Sequence, residues 1–134
     1  MTDKELIALA LSARKNAYAP YSGFRVGAAL LAKSGKTYLG CNIENAAYTP
    51  TNCAERTALF KAVSEGEREF TAIAIVAGKG EVPSDFCPPC GVCRQALAEF
   101  CGADFRVILG DGKEMQAYTL GELMPLSFGK EDIK

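Results

Sequence analysis

Thr71-Ala72-Ile73-Ala74-Ile75-Val76-Ala77 carries apolar side chains on both of its alternating faces after Thr71. A strand with one wet face alternates apolar with polar residues, so this run suits a central strand covered on both sides. Upstream, the pattern predicts a helix over 53–65, ended by Gly66. A loop over 44–52 precedes it. Further back, 24–33 reads as a strand with Phe24, Val26, Ala28, Leu30 and Ala32 on one face, and 37–43 as its return. The turn Ser34-Gly35-Lys36 makes the two a hairpin. The chain starts with a predicted helix over 2–18. Thr2 and Glu5 have capping-box spacing, Leu6, Leu9, Ala10, Ala13 and Ala17 follow at helical intervals, and Ala19-Pro20-Tyr21-Ser22-Gly23 breaks it.

Downstream of the central strand comes a loop rich in Gly, Pro and Ser, then a helix over 91–100 with Gly102 close behind. A strand over 105–109 meets the tight turn Gly110-Asp111-Gly112 and a last strand over 114–118. That connection is too short for a parallel return, which takes a dozen or more residues, so the final pair is antiparallel. The sum is an α/β fold, a mixed sheet of five strands with helices on its faces. No repeat or boundary divides it, and 1–134 reads as a single domain. From Pro125 onward periodicity is absent, as in a tail or a contact arm.

Composition narrows the functions. The 134 residues contain 15 Lys and Arg against 16 Asp and Glu, a net charge of -1. Proteins that hold polynucleotide backbones carry a basic excess, so a small substrate is expected and a polynucleotide is not. No apolar run approaches the roughly 20 residues needed to span a bilayer, so no membrane association is expected. The start, Met1-Thr2-Asp3-Lys4-Glu5, lacks a signal-peptide core, and the expected location is the cytoplasm. In that compartment six closely spaced cysteines point to metal or redox chemistry rather than to disulfides. There is no histidine. Ser-His and Cys-His catalysis and imidazole metal ligands are therefore excluded, and any zinc must be held by thiolates, with or without carboxylates.

Two segments carry the chemistry: Thr51-Asn52-Cys53-Ala54-Glu55-Arg56 and Cys87-Pro88-Pro89-Cys90-Gly91-Val92-Cys93-Arg94-Gln95. Each lies where a loop enters a predicted helix. Free N–H groups and the positive end of the helix dipole favour thiolate there. Cys90 and Cys93, three apart, face the same way on a first helical turn. Cys53 can add a third sulfur. Three thiolates leave a tetrahedral ion one open position, the mark of a catalytic rather than a structural zinc. Glu55 is then the candidate proton shuttle. Cys53 and Glu55 can both address one ion only if Cys53 precedes the regular helix, because residues two apart on a helix point in nearly opposite directions. Arg56, and Arg94 as an alternative, can offset the negative charge by bonding the sulfurs.

The Cys-Ala-Glu segment followed by Pro-Cys-x-x-Cys resembles the zinc nucleoside and base deaminases. Ala19-Pro20-Tyr21-Ser22-Gly23-Phe24-Arg25-Val26-Gly27-Ala28-Ala29-Leu30 and Asn42-Ile43-Glu44-Asn45-Ala46 narrow the likeness to the small cytidine deaminases, over nearly the whole chain. The resemblance implies a three-layer α/β/α sandwich and a homotetramer with sites near subunit interfaces. It implies hydrolysis of cytidine and deoxycytidine to the uridine forms with release of ammonia, in pyrimidine salvage. One zinc ion per subunit would sit on Cys53, Cys90 and Cys93, with Glu55 as proton shuttle. The same resemblance assigns Asn42 and Glu44 to the sugar hydroxyls and Phe24 and Ala54 to the nucleoside pocket. It has Phe128 reach a neighbouring subunit's base.

Other readings stay open at this level. Cys90 and Cys93 alone fit a redox pair. A fourth sulfur from Cys87, Cys41 or Cys101 would close the site into a structural one. Cys87 lies three residues before Cys90 and can also replace it as a ligand. The zinc motifs are shared with deaminases of blasticidin S, and they would also suit a zinc-stabilised interaction domain without catalysis.

Overall fold

The structure, a computed structural model, describes residues 1–133; Lys134, the last residue of the expected domain, lies outside the described residues. Five strands form one sheet: β1 (Arg25–Ala32), β2 (Thr37–Cys41), β3 (Phe70–Gly78), β4 (Arg106–Gly110) and β5 (Met115–Thr119). Their order is β2-β1-β3-β4-β5. β3 is central, antiparallel to β1 and parallel to β4, and the outer pairs β1–β2 and β4–β5 are antiparallel. The last turn closes on Asp111, whose Oδ1 accepts the amides of Lys113 and Glu114 at 2.9 and 2.8 Å.

Helices cover both faces. α1 (Asp3–Arg14) lies on one, α2 (Ala54–Ser64) and α3 (Gly91–Phe100) on the other, and a short α4 (Leu120–Leu123) packs beside α3. This is the expected three-layer α/β/α arrangement. β3 divides its side chains between the layers: Ile73, Ile75 and Ala77 join the core under α2 and α3, and Ala72, Ala74 and Val76 join that under α1. Ile73 and Ile75 are completely buried. Each contributes about 1.5–3 kcal/mol relative to exposure.

Two glycines set how closely the helices approach. A Cβ at Gly27 would collide with the α1 backbone at Ala10 and Arg14. One at Gly40 would collide with the α2 backbone at Ala54 and Ala58. Gly27 pairs with Cys41, and Gly40 with Ala28, so the two glycines sit on opposite faces of the same hairpin. Gly40 therefore lets the first turn of α2, which follows Cys53, lie directly on the sheet.

α1 ends at Arg14, four residues before the expected boundary. Beyond it the backbone finds better partners than a further helical turn. The Tyr18 amide donates to the Asn42 carbonyl at 3.0 Å, and the Glu44 amide to the Tyr18 carbonyl at 2.8 Å. Arg14 itself is 4% exposed. Its guanidinium donates to the carbonyls of Arg25, Gly78, Gly80 and Glu81, tying α1 to the start of the β3–α3 connection. α4 was not expected from periodicity, yet it carries a local start signal, the capping box of Thr119 and Glu122. In the expected tail, Lys130–Ile133 forms one 3-10 turn.

Candidate active site

Cys53 is the N-cap of α2, with φ -77° and ψ 156°. The cysteine thus precedes the regular helix, and Glu55 follows on its first turn, as a shared focus requires. Cys90 is likewise the N-cap of α3, at φ -67° and ψ 167°, and Cys93 lies on that helix's first turn. Neither cap sulfur accepts a backbone N–H of its own helix. The two helix N-termini converge, and the sulfurs of Cys53, Cys90 and Cys93 all lie within 4.8 Å of one another. Cys53 and Cys90 are 3.7 Å apart. Two sulfurs about 2.3 Å from one tetrahedral zinc would stand about 3.8 Å apart, so the thiols present fit that ion.

Among the described residues no other group of three His, Cys, Asp or Glu meets the same test. Cys87, Cys41 and Cys101 lie outside the cluster, and the Cys87 sulfur rests against the Pro88 carbonyl at 3.7 Å. Cys87 thus neither replaces Cys90 nor closes the set in this arrangement.

The site grades from open to closed: Cys90 is exposed, Cys53 half-buried and Cys93 buried. Of the bonded pair Cys53 and Cys93, Cys53 takes the negative charge. The Cys93 thiol donates to it, Arg56 and Cys90 bond it too, and its pKa falls to about 5. Cys93, the donor to Cys53, moves up instead. The Arg56 guanidinium lies 3.5 Å from the Cys53 sulfur, and its own pKa is raised by that contact. Arg94 plays no such part: it donates to the carbonyls of Pro89 and Leu123 at 2.8 and 2.7 Å, holding the entry to α3 against the end of α4. Glu55 is 5% exposed, and burial pushes its carboxyl up to about 7. A carboxyl in that range both takes and gives protons near neutrality.

Asn42 and Glu44 follow β2 and turn toward the 21–26 segment. Asn42 Oδ1 accepts the Val26 amide at 2.9 Å, and its Nδ2 donates to the Phe24 carbonyl at 2.8 Å. The Glu44 carboxylate accepts the amides of Tyr21 and Ser22 at 3.0 and 3.1 Å and the Ser22 hydroxyl. Those bonds, the Ser22 hydroxyl foremost, lower its pKa. Phe24 is partly buried and packs on the core. Ala54, the first residue of α2, is wholly buried. Phe128 is 61% exposed; its carbonyl accepts from Gln95 Nε2 at 2.9 Å. It lines a groove of about 620 Å³ that contains none of the three cysteines. Within one chain, then, Phe128 is not brought to the cluster. Sequence reading missed Ser22 as a partner of Glu44 and Arg14 as a clamp, since neither pairing is local.

The profile described as "Cytidine and deoxycytidylate deaminase zinc-binding region" matches residues 1–110. A cytidine deaminase of Sporosarcina psychrophila is 53% identical over 99% of this chain and 96% of its own length. One of Halalkalibacterium halodurans is also 53% identical, over 99% and 98%. Among solved structures, the cytidine deaminase of Burkholderia pseudomallei superposes with a TM-score of 0.88 at 45% identity, over 96% of this chain and all of its own. With a profile match over most of its length and relatives above half identity, the chain belongs to the cytidine and deoxycytidylate deaminase family.

Proposed function

We propose that this protein hydrolyses cytidine and deoxycytidine to uridine and deoxyuridine with release of ammonia. One observation carries the reading: three converging sulfurs with a buried glutamate beside them, in a chain of this family. Cys53, Cys90 and Cys93 would hold one zinc ion per subunit. Bound there, zinc would supply a water acidic enough to attack near neutral pH. The chain's own groups do the rest. Glu55 takes one proton of the attacking water and delivers it to ring N3, then takes the second from the new C4 hydroxyl and passes it to the amino group, which leaves as ammonia while C4 becomes a carbonyl. The reaction consumes one water and frees one ammonia. Three thiolates around a divalent cation leave a charge of about -1, which Arg56 offsets at the Cys53 sulfur.

Asn42 and Glu44 receive the sugar hydroxyls, and Phe24 with Ala54 lines the pocket. Residues 1–134 act as one domain in a cytoplasmic homotetramer serving pyrimidine salvage, with Phe128 completing a neighbour's site. Exposed Phe60 and Val92, on the α2 and α3 surfaces, support association, as apolar side chains there gain by burial. The test is the fall in ultraviolet absorbance as zinc-loaded protein converts cytidine, with Glu55→Gln alongside. Turnover by the parent protein and near-silence in the variant are expected. No turnover on cytidine or deoxycytidine would overturn the reading and direct assays to blasticidin S.

A further inference from the structure

The Ser22 hydroxyl stands between two groups of the proposed pocket. It donates to Glu44 Oε2, and it accepts the Phe24 amide at 3.0 Å. One hydroxyl has one proton to give and lone pairs to receive, so the two bonds are compatible and polarise one another. The Ser22 amide adds a further bond to Glu44 Oε1, beside that of Tyr21. Three of the roughly four acceptor positions on this carboxylate are thus filled by the 21–22 segment. What remains is one acceptor position, held in a fixed direction.

From this geometry we infer that Ser22 is a positioning residue for sugar recognition: its hydroxyl locks the Glu44 carboxylate in place and couples it to the backbone at Phe24. The inference rests on the reading of Glu44 as the sugar-binding carboxylate. A carboxylate so held is an acceptor only, and its free position fits one donor, a hydroxyl. Loss of the Ser22 hydroxyl leaves Glu44 free to rotate away from that direction. The chemistry at the cysteines has no bond to Ser22, so the effect falls on binding. A substrate without the hydroxyls that Glu44 reads gains nothing from the lock.

The experiment compares Ser22→Ala, Ser22→Thr, Glu44→Gln and the double variant Ser22→Ala/Glu44→Gln on cytidine and on 2′,3′-dideoxycytidine. Thermal melts confirm that each is folded. Ser22→Ala is expected to raise KM for cytidine roughly tenfold, the scale of one hydrogen bond to a charged group, while kcat falls much less. KM for the dideoxy substrate stays as in the parent, Ser22→Thr restores cytidine binding, and the double variant binds cytidine no worse than Glu44→Gln alone. If Glu44→Gln raises KM and Ser22→Ala does not, or if Ser22→Ala weakens both substrates equally, the role of Ser22 is overturned while that of Glu44 stands. If Glu44→Gln leaves KM for cytidine unchanged, the sugar-binding reading itself fails, and the inference with it.

Discussion

Glu55 and Glu44 are the same side chain placed in opposite settings. Glu55 is buried beside three sulfurs, and burial pushes its pKa up to about 7. Glu44 is half-exposed and wrapped by the Ser22 hydroxyl and two amides, which push its pKa down. The first carboxyl can hold a proton and pass it on; the second remains an anion that only accepts. Residue type does not separate these roles; surroundings do, by desolvation in one case and hydrogen bonding in the other. The contrast extends to the regions around them. The sulfur end is assembled from two helix N-termini on a rigid sheet, and the Glu44 end from loop backbone.

The severest way to break the comparison is at the sulfur end. Cys90→Ala removes the most exposed of the three thiols, with little burial lost. Zinc content by atomic absorption is expected to collapse, and turnover with it, while the protein still melts cooperatively. Retention of stoichiometric zinc would mean that the ligand set is different. Next come the two glutamates measured side by side. Glu55→Gln should cost about 10² to 10⁴ in kcat, the usual scale for a lost acid–base group. Glu44→Gln should spare most of kcat and raise KM about tenfold, the scale of a lost charged hydrogen bond. Matching losses in kcat for the two would erase the distinction between them.

Gly40→Ala probes the sheet beneath the sulfur end. The added methyl meets the α2 backbone at Ala54 and Ala58, so α2 must shift. Overpacking of this kind costs about 1–3 kcal/mol, which a thermal melt reads as a lower Tm. Zinc affinity should weaken along with it, because Cys53 immediately precedes that turn. Gly129→Ala, where a methyl meets open space, is the control.

The smallest effect is expected away from both ends. Arg106 bonds Asp3 across the α1–β4 contact at 2.8 and 2.6 Å and lowers the Asp3 pKa. A carboxyl with a depressed folded pKa stabilises above its unfolded pKa, and the gain is lost as pH falls through the folded value. Asp3→Asn should therefore cost at most about 1 kcal/mol at neutral pH, as an exposed ion pair does, and nothing in strong acid. A difference from the parent that persisted below the carboxylate range would show that the pair acts through packing instead.

Much of this was legible along the chain. The two-faced apolar run of β3, the hairpin turn Ser34-Gly35-Lys36 and the turn at Asp111 are signals within a few residues, so the central strand, the hairpin and the antiparallel last pair could be anticipated. The positions of Cys53 and Cys90 at helix starts were equally local. The absence of histidine by itself limits a zinc site to sulfur and carboxylate ligands. The early end of α1 was not legible, because what ended it was the pairing of Tyr18 with residues near 42–44. Nor was the role of Arg94, whose acceptors include Leu123, 29 residues away.

The sequence by itself therefore determined the five strands and three long helices, the family resemblance and the list of chemically able residues, because helix caps, strand alternation and turn residues act over three or four positions. Only the tertiary structure decided which of six cysteines meet, that Arg56 rather than Arg94 reaches a sulfur, and that one glutamate is buried while another is held by Ser22. Those outcomes depend on which surfaces the sheet presses together. Cys53 and Cys90 are 37 residues apart in the chain and their sulfurs 3.7 Å apart in space, a distance set by how α2 packs on β1 and β2 and against α3 over the shared core.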